Sequence, residues 1–120
     1  MSNVIISLAS NHDQTENLPL ALRRLGQIIH IQRATEAIWT EPFHSPIHDL
    51  YLNQLVYADT HLSADQLTSL FKRIELTMGR TPEERQQGIV RIDIDLLQYD
   101  HQRYHMKDWE RPYIKQLLNK

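Results

Sequence analysis

The chain has 120 residues, 41% of them hydrophobic and 23% charged, with no cysteine and a formal net charge of −2. That is the size and balance of one globular domain with an adequate core, which excludes a second full domain, disulfides and thiolate metal sites. The slight acidity offers no basic face to nucleic acid or an anionic membrane; with no apolar run near the ~20 residues that cross a bilayer and no signal-like start at Met1-Ser2-Asn3, the reading is a cytoplasmic protein.

Val4-Ile5-Ile6-Ser7-Leu8 is a β-rich apolar run that ends in polar Ser10-Asn11-His12-Asp13, as a buried strand followed by a loop would. From Thr15 to Leu25 the residues Leu18, Leu22 and Leu25 recur at helical spacing; Thr15 is the predicted cap, Pro19 falls early, and Gly26 ends the helix. Ile28 to Thr40 is rich in β-branched residues and predicts one long, bulged strand, closed by a loop at Pro42 and Pro46. Leu52 to Ala58 alternates as a strand covered on at least one face, with the polar Asn53 near its start.

Ser63-Ala64-Asp65-Gln66 matches a capping box, and Leu67, Leu70, Phe71, Ile74 and Met78 follow at helical spacing up to Gly79. Arg80 to Gly88 contains no apolar residue and predicts an exposed, mobile loop. Ile89 to Tyr99 is a strand, Asp100-His101-Gln102 its turn, Arg103-Tyr104-His105 a short return strand, and Pro112 to Leu118 a marginal helix or tail. The seven histidines, including His44 with His48 and His101 with His105, form no helical metal-binding pair and read as solvated loop residues. The order β-α-β-β-α-β specifies an α+β, ferredoxin-like split βαβ fold, an antiparallel sheet with helices on one face. That fold hosts many functions, so the site must decide between them.

In Arg91-Ile92-Asp93-Ile94-Asp95-Leu96 the alternation sends Ile92, Ile94 and Leu96 to one face and Arg91, Asp93 and Asp95 to the other. Two carboxylates on one face repel unless a cation or water intervenes, and such a pair suits Mg²⁺, which takes a few carboxylate oxygens, waters and substrate phosphates. A solvated strand face is the competing reading of the same spacing. Asp is depleted in strands, however, and the preceding polar loop brings Arg80 and Arg85 to where cations meet polyphosphate. Arg80 is also placed to offset the helix C-terminal dipole, with Glu75 as its solvated helix neighbour.

Ser10-Asn11, Thr40-Glu41-Pro42, Tyr51-Leu52-Asn53, Arg73-Ile74-Glu75 through Gly79-Arg80, and Asp93-Ile94-Asp95 resemble the hydroxymethyldihydropterin pyrophosphokinases in order and spacing. The resemblance covers nearly the whole chain and implies a ferredoxin-like fold, reached independently above. It also implies ATP-dependent diphosphate transfer to 6-hydroxymethyl-7,8-dihydropterin, with ATP and a pterin as partners and two Mg²⁺ ions. By position, Asp93 and Asp95 would hold the metals, Asn53 would read the pterin ring edge, and Tyr51, Thr40 and Phe43 would line the same pocket. Glu75 and Arg80 would serve the nucleotide, Arg80 as part of the catalytic clamp.

Several positions depart from the family pattern. Pro82 replaces a second loop arginine, and Gln87-Gly88-Ile89-Val90 replace Trp-Gly-Pro-Arg, leaving Arg85 and Arg91 as the cations available to compensate. Pro112-Tyr113 stands where the family has proline and a nucleotide-binding histidine, and the expectation is one family-like domain over residues 1–120 that lacks the C-terminal portion. An exposed end of that kind would favour a homodimer. The alternative reading is a catalytically weak or inactive pterin-binding or interaction module on the same fold.

Overall fold

The structure is a computed structural model that describes residues 1–42 and 49–119. Phe43, with His44, Pro46 and His48, lies outside the described residues. The elements run β1 (Ser2–Ser10), α1 (Gln14–Gly26), β2 (His30–Ala34), β3 (Ile38–Thr40), β4 (Tyr51–Thr60), α2 (Ala64–Thr77), α3 (Pro82–Gln86), β5 (Asp93–Tyr99), β6 (Gln102–Arg103), α4 (Met106–Trp109) and α5 (Pro112–Leu118). Among the described residues the strands form one antiparallel sheet in the order β2-β4-β1-β5-β6, with β3 continuing beside β4. The central order is the split βαβ arrangement: each helical crossover skips one strand, which then inserts antiparallel between its neighbours.

The capping box is present as predicted: Ser63 Oγ accepts from Gln66 N at 3.1 Å, and Gln66 Oε1 accepts from Ser63 N at 2.9 Å. Helix α1 instead begins after Asp13, which has a left-handed backbone (φ 44°) and no side-chain cap, so Thr15 lies inside the helix. The long second strand divides at residues 35–37. There Thr35 N donates to Leu55 O (2.9 Å) and Leu55 N donates to Thr35 Oγ1 (3.0 Å), so a side chain replaces part of the ladder; the predicted bulge falls between Ile31 and Arg33.

Arg80 to Gly88 is exposed for most of its length, yet it holds the short helix α3 where a loop was expected. Thr81 Oγ1 accepts from Glu84 N at 3.1 Å, Pro82 takes the first turn, and Glu83 and Glu84 face the positive end of the dipole. Local capping, without apolar burial, is enough to specify one turn. Strand β5 begins at Asp93 rather than Ile89, because Asn11 holds the segment before it: Asn11 Nδ2 donates to Gly88 O (2.7 Å) and Val90 N donates to Asn11 Oδ1 (2.6 Å).

Helices α1 and α2 pack on one face of the sheet, over Val4, Ile6, Leu8, Val56, Ile92, Ile94 and Leu96. The C-terminal segment, read from sequence as a marginal helix or tail, covers the other face. Trp109, Ile114 and Leu117 pack there on Leu55 and Leu97, and Trp109 Nε1 donates to Tyr104 O at 3.0 Å. Among the described residues no helix is long and apolar enough to cross a membrane.

Ile114 is fully buried in this second cluster, so Ile114→Ala should cost about 2–4 kcal/mol of stability in urea denaturation. Unchanged stability would mean that α5 does not dock.

Candidate active site

The site grows from the alternation of three neighbouring strands. On the face covered by α4 and α5, β1 presents Ile5, then Ser7, then Ala9, so the apolar floor shrinks to small side chains toward one end. Ala9 is paired with Asn53 of β4 on one side and Asp93 of β5 on the other, and Ser7 is paired with Leu55 and Asp95. The hollow of about 270 Å³ above these small residues is walled by Thr40, Tyr51, Asn53, Asp93 and Asp95, and by Asp108, Arg111 and Tyr113 from the C-terminal helices.

Asn53 is buried, and its amide nitrogen donates to Thr40 Oγ1 (2.8 Å) and Ile38 O (3.2 Å). With the donors occupied by the protein, the amide oxygen is the group left for a ligand. Burial, then the negative charge of Asp93, raises the Tyr51 phenol above its ordinary value, while Arg80 and a hydrogen bond with Asn11 act the other way. Burial pushes the Tyr113 phenol up to about 12, so both tyrosines are neutral donors at physiological pH.

A second, larger cavity of about 710 Å³ lies between α2 and the outer edge of β5. It exists because β6 pairs only with Gln98 and Tyr99, so the edge of β5 that faces away from β1 has no strand beside it over residues 93–96 among the described residues. One edge donor there is satisfied by Glu75, whose Oε2 accepts from Ile94 N at 2.8 Å while Oε1 accepts from Arg80 Nη1 at 2.9 Å. Glu75 is therefore a buried brace and not a solvated neighbour; burial raises its carboxyl above the ordinary range, and the Ile94 N–H opposes that shift.

Arg80 lies 3.4 Å from Asp93 Oδ1 as well, which places its guanidinium between the helix end and the carboxylate pair. Lys72 and Arg85 line the same cavity. Arg91 is held elsewhere, in a bidentate pair with Glu84 (Nε–Oε1 2.9 Å, Nη2–Oε2 2.8 Å), so Arg85 is the loop cation that reaches the cavity.

Asp93 and Asp95 line both cavities. Burial, then the charge of Asp93, pushes the Asp95 carboxyl up to about 7, with His105 acting against the rise. Two partly exposed carboxylates, with the charge of Asp93 disfavouring ionisation of Asp95, form an oxygen donor set that a hard divalent cation relieves, so the pair fits Mg²⁺.

Of the residues singled out from sequence, Asp93, Asp95, Arg80 and Glu75 meet at the larger cavity and Thr40, Tyr51 and Asn53 at the smaller one. Missed were Lys72, His105, Asp108 and Arg111, and also Tyr113, which was read only as a departure from the family pattern and which walls the smaller hollow. A polar stripe at His105, Asp108 and Arg111, with i to i+3 spacing, was the available signal.

The fold and site thus define an α+β domain in which two cavities share a pair of carboxylates and are flanked by arginines. A family model described as 7,8-dihydro-6-hydroxymethylpterin-pyrophosphokinase (HPPK) matches residues 5–120, and the chain belongs to that family. It is 36% identical to the mitochondrial folate synthesis bifunctional protein of Pisum sativum, over 92% of this chain and 23% of that protein. It is 30% identical to the folate synthesis bifunctional protein of Arabidopsis thaliana, over 92% of this chain and 25% of that one. The chain thus spans about a quarter of the length of these curated relatives.

In the metal-free domain Asp95 keeps its proton up to about pH 7, whereas the unfolded chain loses it near the ordinary value of 3.8. Between those values the folded state holds the extra proton, so stability falls as pH rises and the loss is complete above the folded value. Asp95→Asn should stabilise the metal-free domain at about pH 8 by up to ~4 kcal/mol, and change little near pH 4, in urea denaturation at the two pH values. No gain at the higher pH would mean that the carboxylate is well solvated.

Proposed function

We propose that the domain transfers diphosphate from ATP to 6-hydroxymethyl-7,8-dihydropterin, a step of folate synthesis of the kind its relatives' names denote. The observation that carries the reading is the sharing of Asp93 and Asp95 by a large cation-lined cavity and a small polar one. ATP occupies the larger cavity, where Lys72, Arg80 and Arg85 face its polyphosphate. The pterin occupies the smaller, with its ring edge toward the Asn53 amide oxygen, Thr40 and Tyr51 around it, and its hydroxymethyl group toward the carboxylates.

In this pose the hydroxymethyl oxygen gives up its proton to solvent and bonds to the β-phosphorus as the bond from that phosphorus to the α-β bridging oxygen breaks, and AMP leaves. Asp93 and Asp95 would hold two Mg²⁺ ions, which would neutralise part of the polyphosphate charge. Glu75 keeps Arg80 beside Asp93, so the clamp is set before substrate arrives. The floor of Ser7 and Ala9 leaves depth for a flat bicyclic ring, and Tyr113 with the α4–α5 segment shields it from water. Residues 1–120 form a single domain of this family in the proposal, acting in the cytoplasm.

Calorimetric titration tests the pose. Asp93→Asn should abolish Mg-dependent binding of a non-hydrolysable ATP analogue, and Asn53→Ala should weaken pterin binding by roughly five- to a hundredfold, the cost of one buried hydrogen-bonding partner. A parent domain that binds neither ligand would leave the fold serving as an interaction module.

A further inference from the structure

Asp95 has two neighbours that the functional reading does not use. His105, at the start of α4, places Nε2 3.8 Å from Asp95 Oδ1, and Asp108 lies one turn further on; one ligand atom from each of the three residues falls within 4.8 Å of the others. Two ligands bound to one ion at about 2.1 Å can stand no more than ~4.2 Å apart, so the Asp95–His105 separation already fits. The remaining spread closes by rotating the exposed His105 and partly exposed Asp108 side chains.

The set is held from two directions. Asp95 is fixed in the middle of β5, and the α4 turn is fixed by Asp108 N donating to His105 O at 2.8 Å and by the buried Trp109 beneath it. Arg111 Nε donates to Asp108 Oδ1 at 3.0 Å, which orients that carboxylate and leaves its second oxygen for another partner. The cluster also spans the two cavities, since His105 lines the larger, Asp108 the smaller and Asp95 both.

We infer that Asp95, His105 and Asp108 form a binding site for one borderline transition-metal ion, such as Mn²⁺, Co²⁺ or Zn²⁺, at the junction of the two cavities. The imidazole nitrogen is what separates this site from the Asp93–Asp95 oxygen pair. Mg²⁺ takes oxygen ligands and gains little from nitrogen, whereas the later first-row ions bind imidazole well. The site forms without nucleotide, because the protein supplies three ligands by itself. As Asp95 belongs to both donor sets, an ion seated here draws that carboxylate toward α4 and changes which metal accompanies ATP. This deepens the proposed function by assigning its metal preference, yet it stands on ligand geometry that does not require a pterin.

Co²⁺ added to the nucleotide-free 120-residue chain reads the site directly. The expected result is a single site per chain with a paramagnetically shifted imidazole N–H resonance, and Mg²⁺ binding about tenfold or more weaker under the same conditions. His105→Asn should remove the shifted resonance and, like Asp108→Asn, weaken Co²⁺ by about tenfold or more. Asn is chosen because His105 has a left-handed backbone (φ 53°) that Asn tolerates, so the fold is kept. Co²⁺ affinity unchanged in both variants, no Co²⁺ binding by the parent, or Mg²⁺ affinity equal to that of Co²⁺ would each overturn the inference. A parent that binds pterin and Mg-nucleotide while Co²⁺ ignores His105 and Asp108 would overturn this site alone. A parent with the His105 signature and no pterin binding would keep the site and remove the pterin reading.

Discussion

One buried carboxylate holds the donor side together. Glu75 accepts the Ile94 N–H at the unpaired edge of β5 and the Arg80 guanidinium at the end of α2. A buried ionised group without partners would cost several kcal/mol, and these two bonds offset that cost by giving each oxygen a donor. The consequence is geometric. Helix, strand edge and arginine are locked into one register, so Arg80 also meets Asp93 at 3.4 Å, and the strand edge stays open for a cavity instead of accepting another strand.

The second constraint is charge density. Glu75, Asp93, Asp95 and Asp108 lie around the junction of the two cavities, with Arg80, Arg111 and His105 set against them. Ion pairs tie up part of this charge, while burial, and after it the charge of Asp93, still raises the Asp95 carboxyl to about 7. A folded domain tolerates that repulsion where a cation is to be bound, since the same arrangement that disfavours the empty, ionised site favours the loaded one. The small side chains at Ser7 and Ala9 work with this: they hollow the sheet face beside the carboxylates, and α4 and α5 then roof the hollow from the far end of the chain.

Much of this was legible in the sequence. The β5 alternation put Ile92, Ile94 and Leu96 into the core and both aspartates on the opposite face, because a period of two leaves no other choice once one face is buried. The Ser63–Gln66 capping box marked α2 to within a residue, and the ferredoxin-like order followed from element order. What escaped depends on partners distant in sequence. Short helices such as α4 and α5 draw their stability from packing rather than propensity, so nothing local announced that Trp109, Ile114 and Leu117 would cover Leu55 and Leu97. For the same reason Tyr113 gave no sign of being a site residue, and the polar stripe that includes Arg111 could not be tied to the site before α4 and α5 were docked. Thr81-Pro82-Glu83-Glu84 did carry a local helix-start signal, obscured by the lack of apolar residues after it.

The central claim is that the two cavities hold a diphosphate donor and its acceptor against one pair of carboxylates. Phosphorus NMR of the chain with ATP, Mg²⁺ and 6-hydroxymethyl-7,8-dihydropterin tests it most directly. The account predicts AMP and a pterin diphosphate in equal amounts, formed only when all three are present and the carboxylate pair is intact. ATP left unchanged beside folded protein with both ligands bound, or cleavage to ADP and phosphate in place of AMP, would contradict it.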